Sequence, residues 1–413
     1  MARRPSQVHL ERVPQGEFLR CVAVAGVFFF HAWSAMPEIA QSDQFGYLLA
    51  KVSSLGHLGV VIFNIVTGLV LSLPHLGPKK ADVPNYLAFL RRRFLRILPH
   101  YWIALVFWSL LLLGSSSRPY GLSVPFLAHL FLVHTLSPAT FFSIVPAYWW
   151  LGLLAQFYVI FPLFLRLFQR WAATRCLVVI SLVCWGTWFT IRQLSLREPG
   201  GLLARLDYLL YFNIPWRLPE FAAGMWLASA WSDLGELAGA ERDRPALRSR
   251  FSGRFLIFWA LILAVVGFWV PRGELPLYHP YLSAWCLLLV IAVLRSRVAA
   301  TLGSRSWIRG LGKTSYSIYL LHQPVLTYGT MAFEILGLTI KFWPLALGLN
   351  GYCHSCPLFG PGSLGEDGLG PRLMAGTSGI LARKDGLGGA LREFPGLAAT
   401  PYTSQPSFAF YEA

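Results

Sequence analysis

Long apolar runs recur along the chain, separated by short polar or basic segments. They fall at about 18–36, 56–75, 97–113, 147–165, 176–191, 207–229, 255–270, 277–294 and 315–335, with a further one opening near 338. Most approach the length a helix needs to cross the hydrocarbon of a bilayer. Residues 125–137 are apolar but short, which predicts a re-entrant or interfacial piece. The pattern predicts an all-α fold, a polytopic membrane helix bundle of about ten transmembrane helices. The last helix is incomplete, because the run Leu338–Leu349 stops at Asn350-Gly351. The expected organisation is a polar N-terminal segment (1–17), a transmembrane domain (18–349), and a Gly/Pro-rich tail (350–413) that is disordered or out of frame.

Composition agrees. The chain is 55% hydrophobic and only 13% charged, against about 25% charged in a soluble domain. The net charge of +16 does not point to nucleic acid, because the basic residues sit between apolar runs and form no separate domain. With the amino terminus inside, Arg3, Arg4, Arg12, Lys79, Lys80, the cluster Arg91–Arg96, Arg166, Arg170, Arg175 and the arginines of 242–254 all lie on the inner side. The outer side keeps few, among them Lys51, Arg118 and Arg192. The positive-inside rule then predicts a multi-pass membrane protein with its N-terminus cytoplasmic. The cysteines suggest no disulfide framework. Cys353-His354-Ser355-Cys356 is half a zinc site without a second ligand pair, so no metal is expected.

Three clusters could carry chemistry. Arg20 and His31 bracket ten mostly apolar residues. On a helix they share a face, roughly 16 Å apart along the axis. One reading is an arginine at a helix end and a histidine hydrogen-bonded between helices. The other is a cation for an anionic donor at the inner face and an imidazole base toward the outer face. Arg91, Arg92, Arg93 and Arg96 are expected in a strongly basic loop with Lys79 and Lys80 and run into Ile97-Leu98-Pro99-His100. They read either as a topology anchor or as a seat for a polyphosphorylated nucleotide or coenzyme. Ser315, Tyr319 and His322 fall at i, i+4 and i+7, one polar stripe on a helix. Gly312-Lys313-Thr314 is no phosphate loop, since Trp307 stands where the leading glycine is needed.

Six segments in order resemble the acyltransferase 3 family of integral membrane acyltransferases. They are Arg20…His31; GHLGVVIFNIVTGLVLSL from Gly56; the Arg92–Trp102 segment; WWLGLLAQFYVIFP from Trp149; Leu218-Pro219-Glu220-Phe221; and SYSIYLLHQP from Ser315. The resemblance covers about 15–349. It implies transfer of an acyl group, acetyl in the expected case, from acyl-CoA as co-substrate to a hydroxyl of a glycan or glycosylated small molecule, with no bound cofactor. It implies catalytic roles for His31 and Arg20, donor binding by Arg91, Arg92, Arg93 and Arg96, and a cavity lined by Gln156, Tyr158, Glu220, Ser315, Tyr316, Tyr319 and His322. The tyrosines and His322 are expected to donate to a developing oxyanion. Two departures are visible. Leu154 replaces the glutamate usual two residues before Gln156, and the last span lacks its usual ending. They leave a catalytically inactive member as a second reading, with a transporter of a lipid-linked sugar as a third.

Overall fold

A computed structural model describes residues 14–34, 52–53, 55–77, 81–112, 123–197, 201–231, 261–262 and 278–335. The expected spans at 255–270 and from 338, and the tail with its Cys-x-x-Cys, lie outside the described residues, apart from 261–262. Everything regular among the described residues is helical.

The chain opens with α1 (Pro14–Ser34). A 3₁₀ turn (Leu55–His57) leads into α2 (Leu58–Leu76), then come α3 (Tyr86–Leu112) and the short α4 (Ser123–Leu130). Two further 3₁₀ turns, His134–Leu136 and Pro146–Tyr148, precede α5 (Trp149–Arg170) and α6 (Ala173–Ser195). Next are α7 (Leu202–Tyr211), α8 (Ile214–Ser229), α9 (Tyr278–Arg295), α10 (Arg297–Gly303) and α11 (Ser306–Ile335). Four helices among the described residues are long and apolar enough to cross a membrane by themselves: α2 with its leading turn, α3, α5 with its leading turn, and α6. The α9–α10 pair, bent by 77°, adds a fifth if it counts as one span.

Two expected boundaries shift. The arginine cluster is not a loop: α3 starts at Tyr86 and carries Arg91–Arg96 inside it. The run at 207–229 is not one helix. It breaks at Phe212-Asn213, and α8 restarts with Pro215 in its first turn, where a missing N–H is tolerated.

Helix α2 is the hub. Its apolar window is 72% buried, against 22% for α6 at the periphery. It packs on α1, α8 and α9. Lipid offers apolar side chains no gain from leaving it, so helices in a membrane associate where small residues let backbones touch. Gly26 and Gly56 meet in this way between α1 and the start of α2: a Cβ added to Gly26 would lie 3.2 Å from the Gly56 carbonyl oxygen. Gly68 and Gly224 do the same between α2 and α8, where a Cβ on either would strike the other helix's backbone.

These contacts fix the relative directions of the helices. Phe30 meets His57, while Ala23 meets Gly59, so α1 and α2 are antiparallel. Asn64 meets Glu220 and Gly68 meets Gly224, so α2 and α8 are parallel. Trp150 meets Asn64 and Phe161 meets His75, which aligns α5 with α2. Phe89 meets Phe161 and Tyr101 meets Tyr148, so α3 opposes α5. Trp188 meets Trp216 and Thr174 meets Trp226, so α6 opposes α8. Glu17 meets Gly312 and His31 meets His322, so α1 and α11 run together. With these directions, Arg20, Arg91–Arg96, Arg166, Arg170, Arg175, Arg295, Arg309 and Lys313 gather at one end of the bundle. Arg192, Arg197, Arg205 and Arg217 lie toward the other.

Candidate functional site

Helix α11 carries the polar stripe that its spacing predicts, and the stripe faces inward. Ser315, Tyr319 and His322 are 7%, 2% and 4% exposed. The His322 ring lies beside the partly buried His31 ring of α1, with centroids 5.0 Å apart and planes tilted by 48°. His322 Nδ1–H donates to the Tyr319 carbonyl at 2.7 Å. Its Nε2 is buried with no hydrogen-bond partner among the described residues. Phe30 flanks His31 edge-on at 5.1 Å and Tyr319 flanks His322 at 5.4 Å.

The segment leading into α5 braces this stripe. The Tyr148 hydroxyl donates to the Leu320 carbonyl at 3.0 Å, and Ala147 N–H donates to Gln323 Oε1 at 2.6 Å. The Tyr319 hydroxyl donates to the Ala147 carbonyl. The Tyr316 hydroxyl donates to the Ile97 carbonyl of α3 at 2.9 Å. Both tyrosine protons are therefore given to backbone oxygens rather than to an open space where an oxyanion would form.

At the basic end, Arg91, Arg92 and Arg96 are exposed and Arg93 is partly buried. The Arg93 guanidinium lies over the Phe89 ring at 5.6 Å. Tyr158 of α5 is buried between Phe89 and Phe94, within the field of Arg93 and Arg96. Tyr316 joins α11 to this neighbourhood through Ile97. Arg20 pairs with Glu17 at 3.2 Å. Glu17 is buried and packs against Gly312; any side chain at 312 would displace it.

Two expected cavity residues sit elsewhere. Gln156 is a tie: its amide donates to Thr135 Oγ1 at 3.1 Å and to Asn213 Oδ1, and its oxygen accepts from Ile214 N–H at 3.3 Å. It holds the break between α7 and α8 against α5. Glu220, 1% exposed, is the centre of a buried charge cluster. Asn64 Nδ2 donates to its Oε2 at 2.6 Å. Arg217 Nη1, His279 Nε2 and Ser283 Oγ surround its Oε1 at 3.2, 3.1 and 3.3 Å. Trp150 Nε1 donates to Asn64 Oδ1 at 2.8 Å, and the Trp150 ring touches Tyr319 at 5.0 Å. A continuous path of side chains thus runs from Glu220 through Asn64, Trp150, Tyr319 and His322 to His31.

Sequence reasoning singled out neither Glu17 nor the cluster members Asn64, Trp150, Arg217, His279 and Ser283. It also passed over a buried pair, His129 and His134, whose rings stack in parallel at 3.8 Å. Between them Leu132 adopts a left-handed backbone, φ 57°, which folds His134 back over His129. The only available signal was the rarity of ionisable residues within apolar runs.

Among the described residues, no group of three or more His, Cys, Asp or Glu side chains could hold a metal ion. The described cysteines, Cys21, Cys176, Cys184 and Cys286, are free thiols.

Residues 17–350 match the family described as an acyltransferase domain. The chain is 27% identical over 359 residues to YrhL of Bacillus subtilis strain 168, covering 82% of this chain and 52% of that protein. It is 24% identical over 355 residues to the peptidoglycan O-acetyltransferase OatA of Listeria monocytogenes, covering 81% and 52%. To the acyltransferase MdmB of Streptomyces mycarofaciens it is 26% identical over 339 residues, covering 77% and 80%. The chain thus spans about half the length of the first two relatives and most of the third. No solved structure gives a significant match.

Proposed function

The chain belongs to the acyltransferase 3 family, and on that premise we propose that it moves an acyl group, acetyl in the expected case, from acyl-CoA at the basic end of the bundle to a hydroxyl of a glycan or glycosylated molecule at the other. Helix α11 is the observation that carries this reading. Tyr316 touches α3 beside the arginines, and six residues later His322 touches His31. Six residues rise about 9 Å, a gap that an extended pantetheine arm spans.

The roles follow from position. Arg91, Arg92, Arg93 and Arg96 hold the phosphates of the donor, with Tyr158 beneath them. Arg20, oriented by Glu17, adds positive charge on the same side. His31 takes the proton of the acceptor hydroxyl as its oxygen attacks the acyl carbon. The carbon–sulfur bond breaks, and the proton passes to the departing thiolate. Ser315, Tyr316 and Tyr319 shape the passage between the two ends. Gln156 and Glu220 support it from behind.

The gathering of basic residues at one end supports a cytoplasmic N-terminus by the positive-inside rule, and the bacterial relatives support a bacterial cell membrane. A glycan acceptor rests on OatA, whose name specifies peptidoglycan.

The test uses the full chain in lipid nanodiscs, with acetyl-CoA as donor and peptidoglycan glycan fragments as acceptor. Release of free coenzyme and acetylation of the glycan are measured together. His31→Ala should lower kcat by about a hundredfold or more, and unchanged turnover would overturn the base role. Arg93→Ala with Arg96→Ala should raise KM for acetyl-CoA at little change in kcat. An unaltered KM would remove the donor seat.

A further inference from the structure

We propose that His322 is the positioning partner of His31, and that the two imidazoles work as a neutral dyad in which His322 Nε2 accepts the N–H of His31. The proposal rests on the reading of His31 as the proton acceptor.

Two independent features lead to it. The first is a bond that fixes the tautomer. His322 Nδ1 lies 2.7 Å from the Tyr319 carbonyl, an oxygen that only accepts, so the His322 proton sits on Nδ1. Nε2 is then a bare lone pair. The second is the surroundings of that lone pair. His322 is 4% exposed, and its Nε2 has no partner among the described residues. A buried acceptor left unmade costs about 1–3 kcal/mol, so this atom is kept in place for a donor. The ring beside it is His31, with centroids 5.0 Å apart.

As the side chains stand, no hydrogen bond joins the two rings. Their planes are tilted by 48°, neither a stack nor a right angle, so the proposed dyad requires His31 to turn about its ring torsion until an N–H meets Nε2.

The consequence for the reaction is definite. With one His31 nitrogen donating to His322, the other must present its lone pair to the acceptor hydroxyl. When His31 takes that proton it becomes an imidazolium that donates to His322. The charge stays on His31, where the lone pair of the neutral His322 ring stabilises it instead of leaving it alone in a poorly solvated site. The proton returns to the leaving group and both rings end neutral. Tyr319 closes the arrangement by holding His322 through its carbonyl, while its hydroxyl is anchored to Ala147.

The nucleophilicity of the His31 lone pair can be read without knowing the acceptor. The full chain in nanodiscs is treated with diethyl pyrocarbonate, and carbethoxylation of His31 is followed by peptide mass spectrometry. His322→Ala should slow His31 modification about tenfold, the worth of one lost orienting hydrogen bond. His322→Gln, whose amide oxygen reaches the place of Nε2, should restore most of the rate. His322→Asn, which keeps only the contact to the Tyr319 carbonyl, should not. Equal rates in the Gln and Asn variants, or a rate in the Ala variant equal to the native one, would overturn the dyad. So would a native His31 that fails to react. The His31→Ala turnover assay separates the two ideas: loss of turnover with no Gln/Asn difference keeps the base and removes the dyad.

Discussion

Asn64 holds two helices at once: its amide donates to Glu220 of α8 at 2.6 Å and its carbonyl accepts from Trp150 of α5 at 2.8 Å. Asn64 is fully buried in the hub helix α2, so neither bond competes with water. Together they set the spacing of three helices around the path that ends at His31.

Breaking the cluster at its centre should therefore be severe. Glu220→Ala leaves Arg217 without the carboxylate that faces it at 3.2 Å, a buried charge stripped of its partner. We expect a loss of about 3–5 kcal/mol, read as a lowered Tm in detergent and a reduced yield of folded protein. Asn64→Leu should fall short of that, because it removes one hydrogen bond to the carboxylate and one from the Trp150 indole but keeps the ion pair.

Leu154 gives a cleaner experiment on activity. It is 4% exposed and lies one turn after Trp150 on α5. In that position a carboxylate would enter a core whose buried arginine is already matched by Glu220. Leu154→Glu should lower Tm by several degrees and should not raise turnover. A clear gain of acetyl transfer would instead favour the reading in which this chain lost activity with its glutamate.

Tyr319→Phe and Tyr316→Phe separate bracing from chemistry. Each hydroxyl donates to a main-chain carbonyl, so each substitution should cost about 1 kcal/mol of stability and leave kcat within a few-fold of native. A drop of a hundredfold or more in kcat with unchanged Tm would return the oxyanion role to that hydroxyl.

The glycines divide into two groups. Gly224→Val should prevent proper packing of α8 on α2, because a side chain there meets the backbone around Ile65 and Leu69. Gly186→Ala and Gly310→Ala face open space within 4 Å and should be neutral or stabilising by up to about 1 kcal/mol, the helix propensity difference. Thermal unfolding of the three variants side by side tests the assignment.

Much of the fold was legible because lipid imposes a length and a polarity on each crossing. The runs that became α2, α5 and α6 were found to within a few residues. The break at Phe212-Asn213 was not, since hydropathy averages over it and only Pro215 hinted at a restart. In the candidate site, the α11 stripe could be read because Ser315, Tyr319 and His322 share one helix and one period. The Glu220 cluster could not, because Asn64, Trp150, Arg217, His279 and Ser283 come from four helices and no periodicity within one segment links them. The arginines of α3 were placed correctly in the chain but not in secondary structure, because a charge run reads as loop until the helix that carries it is seen.

The charge cluster also bears on how the protein is made. Helix α8 is only 16 residues long and brings Arg217 and Glu220 with it. Left by itself in lipid it would expose both, a poor candidate to rest there during synthesis. Its first stable seat is the groove beside α2, where Asn64 is already waiting from an earlier crossing. His279 and Ser283 arrive with a later segment and close the carboxylate from the remaining side. The same residues that brace the finished site therefore impose an order of assembly, and a chain that misplaces α2 has nowhere to put α8.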